Sequence, residues 1–254
     1  MDEVEGKLVL TSPDRARIIE DIASLESIGG YRVLQRSDHA LADAYYDTPD
    51  RDLAGARLAL RVRSEDGRER LTLKGESRVH AGVITRHELE REWSRDALDE
   101  VLVAIRSDGV EFDTSPLDAD HGAAAALASL GLLPTSPRLN QRTVLELSGA
   151  LGVVVAELDL DRVTFTAGAF AVRHYELECE AHGEHGHDAI NAVVADLRYR
   201  FQGLQPIIYS KLDLAEHLED LAATGRLEAL LEGDSLTAAA YSDIEGDLNW
   251  GSGS

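Results

Sequence analysis

The chain of 254 residues has a single cysteine, Cys179. That excludes an internal disulfide framework and a cysteine-rich zinc site. It has no run of about eighteen apolar residues, so no transmembrane helix is expected. It opens directly on charged sequence, so a signal peptide is not expected and a cytoplasmic location is the default. No repeat of solenoid period is present. Lysine is also scarce: only Lys7, Lys74 and Lys211 stand among 25 basic residues. Positive charge as a whole is outnumbered, leaving a net charge of −22. An average surface of that sign repels nucleic acid and anionic membranes, so neither is an expected partner. Any phosphate site must be a local positive patch within a negative protein.

What is there is alternation. Residues 2–10 place Glu3, Glu5 and Lys7 on one face of a strand and Val4, Leu8 and Leu10 on the other. Ser12-Pro13-Asp14 then signals a helix start, with a stop expected at Gly29-Gly30. Residues 31–47 read as two short strands ending in the turn YYDTPDRDL. RLALRVRS and ERLTLKGE are strands joined by the hairpin signal EDGR, and GVITRHELEREW is another. Residues 96–107 and 119–131 carry helical spacing. RTVLELS, GVVVAELDLDRVTF and FAVRHYELECEA are three further strands, followed by a helix through INAVVADLRYRF and another opening near Ser210. The pattern predicts an α+β fold with one antiparallel sheet or barrel. Residues 1–224 read as one domain. Residues 225–254 read as a helical, flexible tail whose final GSGS looks like an added linker.

The strands share a property that a wet sheet face does not explain. Arg61 and Arg63 lie on one face against Leu60 and Val62, and Lys74 follows Thr72 against Leu71 and Leu73. Arg86, Glu88, Glu90 and Glu92 share a face, as do Arg142 and Glu146. Glu157, Asp159 and Asp161 align, and so do Glu176, Glu178 and Glu180. Like charges two apart on one face are unfavourable unless counter-charges or ions sit against them. A closed barrel resolves this by turning apolar side chains outward under helices and charged ones inward. Acidic walls hold divalent cations through oxygen, and arginine walls hold phosphate oxygens bidentately.

These motifs resemble the CYTH domain, the triphosphate tunnel metalloenzyme family. Glu-x-Glu-x-Lys at the N-terminus is matched by Glu3, Glu5 and Lys7. Arg61-x-Arg63, Lys74, Arg86-x-Glu88-x-Glu90, Arg142, Glu157 with Asp159, Glu176-x-Glu178 and Lys211 follow in order, over about residues 2–220. All three lysines fall on motif positions. The layout looks closest to plant-type tripolyphosphatases, and Gly6, usually apolar in relatives, is a departure.

The resemblance implies a closed eight-stranded antiparallel tunnel barrel with helices packed outside. It also implies a metal-dependent phosphohydrolase acting on inorganic triphosphate, or on a nucleoside or thiamine triphosphate, with one or two Mg²⁺ or Mn²⁺ ions. With few aromatics there is no clear clamp for an organic end, which favours the inorganic substrate. Lys7, Arg61, Arg63, Lys74, Arg86, Arg142 and Lys211 would cradle the triphosphate. Glu3, Glu5, Glu88, Glu90, Glu157, Asp159, Glu176 and Glu178 would supply metal ligands. Glu5 and Glu178 are expected near the attacking water, and Lys74 or Lys211 as the acid for the leaving phosphate if its pKa is lowered among cations. Two alternatives stay open: an adenylate cyclase of the class IV type, forming cyclic AMP and pyrophosphate, and a non-catalytic polyphosphate- or nucleotide-binding module. Tyr45 and Tyr46 are expected to pack or cap the barrel, Cys179 to lie in the core, and His182, His185 and His187 to belong to a polar loop and helix start.

Overall fold

The computed structural model describes residues 2–111, 113, 114, 117, 121–183 and 186–251. Eight main strands are present: β1 (Asp2–Leu10), β2 (Tyr31–Asp47), β3 (Ala59–Glu65), β4 (Arg68–Lys74), β5 (Val83–Glu92), β6 (Arg138–Ser148), β7 (Val154–Ala167) and β8 (Phe170–Ala181). Their hydrogen-bonded order is β1-β5-β4-β3-β2-β6-β7-β8, and β8 pairs back onto β1. This closed circuit is the expected eight-stranded antiparallel barrel, and short strands extend the sheet beyond it.

The residues group into two compact units. The first holds residues 40–78 and 86–139 with the first two residues, the second holds 3–39, 79–85 and 140–254. In the first unit, Asp66 (φ 48°) and Gly67 (φ 78°) form the two-residue turn between β3 and β4 that the Asp-Gly signal predicts. Leu60, Val62, Leu71 and Leu73 point to one side and pack under helix α3 (Arg95–Ser107) and helix α4 (Ala123–Ser129). Ser94 caps α3 through Ala97 N–H, and Glu69 accepts from Ala123 N–H at the head of α4. Positions 119 and 120 of the expected 119–131 helix lie outside the described residues. The YYDTPDRDL turn runs into the short helix α2 (Asp52–Gly55) and is organised by Asp47, which accepts the backbone N–H groups of Thr48, Leu53 and Ala54 at 2.8–3.0 Å.

In the second unit, Leu8, Leu158, Leu160, Leu177 and Cys179 form the apolar face under α1 (Arg15–Ala23) and α5 (Gly186–Arg200). A Cβ on Gly6 would lie 2.7 Å from Ile190 Cγ2. The glycine therefore lets α5 settle directly onto the β1 backbone. The first helix stops at Ala23 rather than at Gly29-Gly30. Those glycines instead turn a hairpin that pairs Ile28 with Tyr31, because both take positive φ. Residues 31–47 form one long strand and not two.

Ser210 and Asp213 close a capping box at the start of α6 (Lys211–Ala223). Beyond it come a 3-10 turn at Leu227–Leu230, two short strands, and helix α7 (Ala238–Gly251). Leu227, Leu236, Ala240, Tyr241 and Ile244 are buried in one cluster with Val9, Val163, Phe165, Val172 and Leu218. The segment read as a flexible tail thus carries core residues, and the last three residues of the chain lie outside the description. Among the described residues no helix is long and apolar enough to cross a membrane.

Candidate active site

Many of the charged side chains on the strands are as dry as the apolar core. Asp161, Thr72 and Glu176 are fully buried, and Glu5, Lys7, Asp43, Arg61, Lys74, Arg86, Asp159 and Lys211 are nearly so. Burying ions is unfavourable unless each is paired and hydrogen-bonded, so this arrangement must be held by specific partners.

In the second unit the strand register lines up the acidic residues. Asp161 pairs with Glu176, Asp159 with Glu178 and Glu157 with Glu180 across β7 and β8, and Glu178 and Glu180 pair in turn with Lys7 and Glu5 of β1. Like charges directly opposite repel. Three cations answer them. Lys7 Nζ lies 2.8 Å from Glu178, 3.3 Å from Glu5 and 3.8 Å from Glu176. Lys211 Nζ lies 2.8 Å from Glu178, 2.9 Å from Glu176 and 3.0 Å from Asp161. Arg142 forks onto both oxygens of Asp161 at 2.7 and 2.6 Å, donates to Glu178 at 2.9 Å, and pairs with Asp159.

Burial pushes the Asp161 and Glu178 carboxyls up, but the cations outweigh it and hold both well below the usual range. Asp159 goes the other way. Burial, aided by the charges of Asp161, Glu178 and Glu157, overrides Arg142 and raises it well above an ordinary carboxyl. Burial alone would lower Lys211, but Glu176, Glu178 and Asp161 raise it instead. The sequence led us to expect a lysine made acidic by neighbouring cations. Lys211 stands among carboxylates, and its proton is held more tightly than usual.

The first unit holds the opposite balance. Arg63 forks onto Asp43 at 2.8 and 2.9 Å. Arg138 Nε and Arg61 Nη1 approach the same carboxylate at 3.7 and 4.0 Å. Arg61 also donates to Thr72 at 3.1 Å, and Lys74 meets Glu88 at 2.9 Å. Glu90 is exposed and accepts from Thr72 at 3.0 Å, with Arg61 and Arg70 at 3.4 Å. Burial raises the Asp43 carboxyl, but Arg61, Arg63 and Arg138 win and hold it far below its usual value.

Tyr45 and Tyr46 are both buried, Tyr46 in the apolar core and Tyr45 on the charged face. Tyr45 pairs with Arg61, and its hydroxyl accepts from Arg138 at 3.0 Å under the guanidinium. Burial raises this phenol, yet Arg138, Arg61 and Lys74 together bring it down to about 8.

Of the residues singled out by sequence, Glu5, Lys7, Arg142, Asp159, Glu176, Glu178 and Lys211 cluster in one unit. Arg61, Arg63, Lys74, Glu88 and Glu90 cluster in the other, with Arg86 buried on β5. Glu3 and Glu157 are half-buried at the margin of the acidic rows. Sequence reasoning missed Asp43, Arg138 and His174. Asp43 and Arg138 stand outside any charged run, although the Asp43-x-Tyr45 alternation is a faint signal. His174, fully buried, lies two residues before Glu176 on the same face.

Among the described residues no three acidic, imidazole or thiol groups are already arranged around a point that would hold a metal ion. His182 and His187 belong to no such group, and His185 lies outside the described residues. The acidic cluster nonetheless fits a hard divalent cation by chemistry. Its donors are all carboxylate oxygens, its five carboxylates exceed its three cations, and Asp159 Oδ1 is buried with no hydrogen-bond partner.

An inorganic triphosphatase of Haemophilus influenzae is 31% identical over 88 residues, which are 35% of this chain and 23% of that protein. The chain therefore spans about a quarter of the length of this curated relative. A Hippeastrum protein, a candidate adenylyl cyclase described as having a dominant triphosphatase activity, has a similar fold. Its TM-score is 0.56 at 22% identity, over 85% of this chain and 95% of that one. A candidate adenylate cyclase of Bacillus halodurans gives 0.53 at 19%, over 84% and 96%. The CYTH domain model matches residues 1–199. Together with the closed circuit of strands and its buried, charged inner faces, that match makes this chain a member of the CYTH domain family.

Proposed function

We propose that this protein is a divalent-metal-dependent hydrolase of triphosphates, with inorganic triphosphate as the favoured substrate over nucleoside or thiamine triphosphate. The observation that carries the reading is the burial of two charge clusters of opposite balance. A fold does not desolvate so many ions for stability alone, because well-packed apolar residues would serve as well or better. The triphosphatase relatives support the same reaction class.

In this reading Arg61, Arg63, Lys74 and Arg86 in the first unit are phosphate-binding cations, and so are Lys7, Arg142 and Lys211 in the second. The guanidinium forks position the chain and neutralise the charge that develops on it. Lys7 and Lys211 exchange their carboxylate partners for phosphate as substrate enters. Glu3, Glu5, Glu157, Asp159, Glu176 and Glu178, with Glu88 and Glu90, are the proposed ligands of Mg²⁺ or Mn²⁺. When bound, the metal supplies charge neutralisation of the phosphates and an acidified water. Glu5 and Glu178 would orient the attacking water, and Lys74 would donate the proton to the leaving phosphate. Lys211, whose proton the carboxylates around it hold tightly before substrate enters, serves as a cation and not as the acid.

The test is product analysis with Mg²⁺ and with Mn²⁺, offering tripolyphosphate, ATP and thiamine triphosphate in parallel. Orthophosphate from tripolyphosphate, abolished by the double substitution Glu5→Gln/Glu178→Gln, is the expected result. Cyclic AMP with pyrophosphate from ATP would make the protein a cyclase. Tight binding with no product would make it a phosphate-binding module.

A further inference from the structure

The buried acidic cluster is tied to a part of the chain outside the family match. Glu176 Oε1 accepts from Lys211 at 2.9 Å, and its Oε2 lies 2.8 Å from His174 Nε2. The other ring nitrogen, Nδ1, lies 3.0 Å from the hydroxyl of Tyr241 on α7. His174 and Glu176 are fully buried and Tyr241 is 3% exposed. The ring of His174 is walled by Phe165 and Tyr241, with centroids at 5.9 and 5.7 Å.

The chemistry of this line is directional. A carboxylate oxygen accepts only, so Nε2 must carry a proton. On a neutral imidazole Nδ1 is then an acceptor, and the Tyr241 hydroxyl donates to it. Burial pushes the Tyr241 phenol up, which keeps that donor protonated. Two anchors hold the segment in place. Arg15 Nη2 donates to Leu236 O at 2.7 Å, and the Arg173 backbone N–H donates to Asp234 O at 2.6 Å.

We propose that Tyr241 and His174 are positioning residues for the proposed triphosphate site, so that α7 contributes to that site through the Tyr241 hydroxyl. Tyr241 selects the His174 tautomer. His174 pins one oxygen of Glu176, and the other oxygen is thereby aimed at Lys211 and Lys7. Neither residue touches substrate. This inference rests on the triphosphatase reading for its kinetic arm only.

The test uses the full chain and the substitution Tyr241→Phe, which keeps the ring and removes the hydroxyl. The first readout needs no activity: long-range proton–nitrogen NMR of ¹⁵N-histidine-labelled protein without metal. Wild type is expected to show His174 as a single Nε2–H tautomer, and Tyr241→Phe a mixture. The second readout is tripolyphosphate turnover, where kcat is expected to fall roughly tenfold with folding retained. Ile244→Val is the packing control, expected to lower the melting temperature while leaving kcat unchanged.

His174→Gln keeps an N–H for Glu176 and loses the link to Tyr241. It should match Tyr241→Phe, and the double substitution should be no worse than either single one. If Tyr241→Phe does not fold, His174→Gln against Ile244→Val decides. A wild type inactive on every triphosphate would sink the functional reading and leave this one to the NMR arm. Wild-type tautomer and kcat in Tyr241→Phe, or single effects that multiply in the double variant, would overturn it.

Discussion

Arg142→Met removes a guanidinium that serves three carboxylates at once. The arginine makes three hydrogen bonds of 2.6–2.9 Å to Asp161 and Glu178 and pairs with Asp159. Methionine fills similar space but leaves Asp161 with Lys211 as its remaining cation at 3.0 Å. Stripping a buried charge of its partner costs about 3–5 kcal/mol, and that is the expected loss at pH 7. The pH dependence follows from the shifts. Asp161 and Glu178 have folded-state pKa values held below 3.8 and 4.5, against the opposing push of burial. In wild type their contribution is therefore present above those unfolded-state values and lost as pH falls through the depressed folded ones. Without Arg142 the balance tips towards burial and the folded values rise. The penalty should then be largest near neutrality and shrink towards pH 5 as the stripped carboxyls take up protons. Urea unfolding of both proteins at pH 7 and pH 5, in chelator, measures this. Mg²⁺ should stabilise the variant more than wild type, since the cluster is left more negative. A loss under about 1 kcal/mol at pH 7, or one that does not change with pH, would refute the claim that these carboxylates are buried as anions held by Arg142.

Three other expectations are sharper than they are large. Tyr45 should ionise near pH 8, visible as a step at 295 nm that vanishes in Tyr45→Phe. Its folded pKa lies below the unfolded value of 10.0, so it adds stability only as pH rises from about 8 to 10 and nothing at pH 7. Cys179, whose thiol burial pushes up to about 12, should resist alkylation at pH 8 until urea unfolds the chain. Gly6→Leu should lower stability by about 1–3 kcal/mol in denaturant melts, because its Cβ would stand 2.7 Å from Ile190 on α5. A wild-type midpoint would show that α5 yields freely there.

Much of the candidate site was legible because a strand writes its two faces in alternate letters. Lys7, Arg61, Lys74 and Glu176 could be assigned to one side of their strands by counting in twos, and the paired apolar letters Leu60, Leu71 and Leu177 are core. The Asp-Gly hairpin and the Ser210 cap were legible for a similar reason, since turn and cap chemistry is local. Gly29-Gly30 misled because two glycines end a helix and turn a hairpin equally well. The choice was made by pairing of Ser27 and Ile28 with the next strand.

By itself, then, the sequence determined the alternation, the order of the charged motifs and hence the family fold, all of which follow from period-two geometry along the chain. Tertiary structure alone decided which charge answers which. Burial, with Asp161 and Glu178 beside it, raised Asp159 despite Arg142, while Arg142 and Lys211 together outweighed burial and lowered Asp161. The fold set Lys211 among carboxylates, so that its proton is held rather than loosened. It brought Tyr241 to His174 across 67 positions of sequence. Partner identity depends on distances between segments remote in the chain, and no local pattern of residues encodes them.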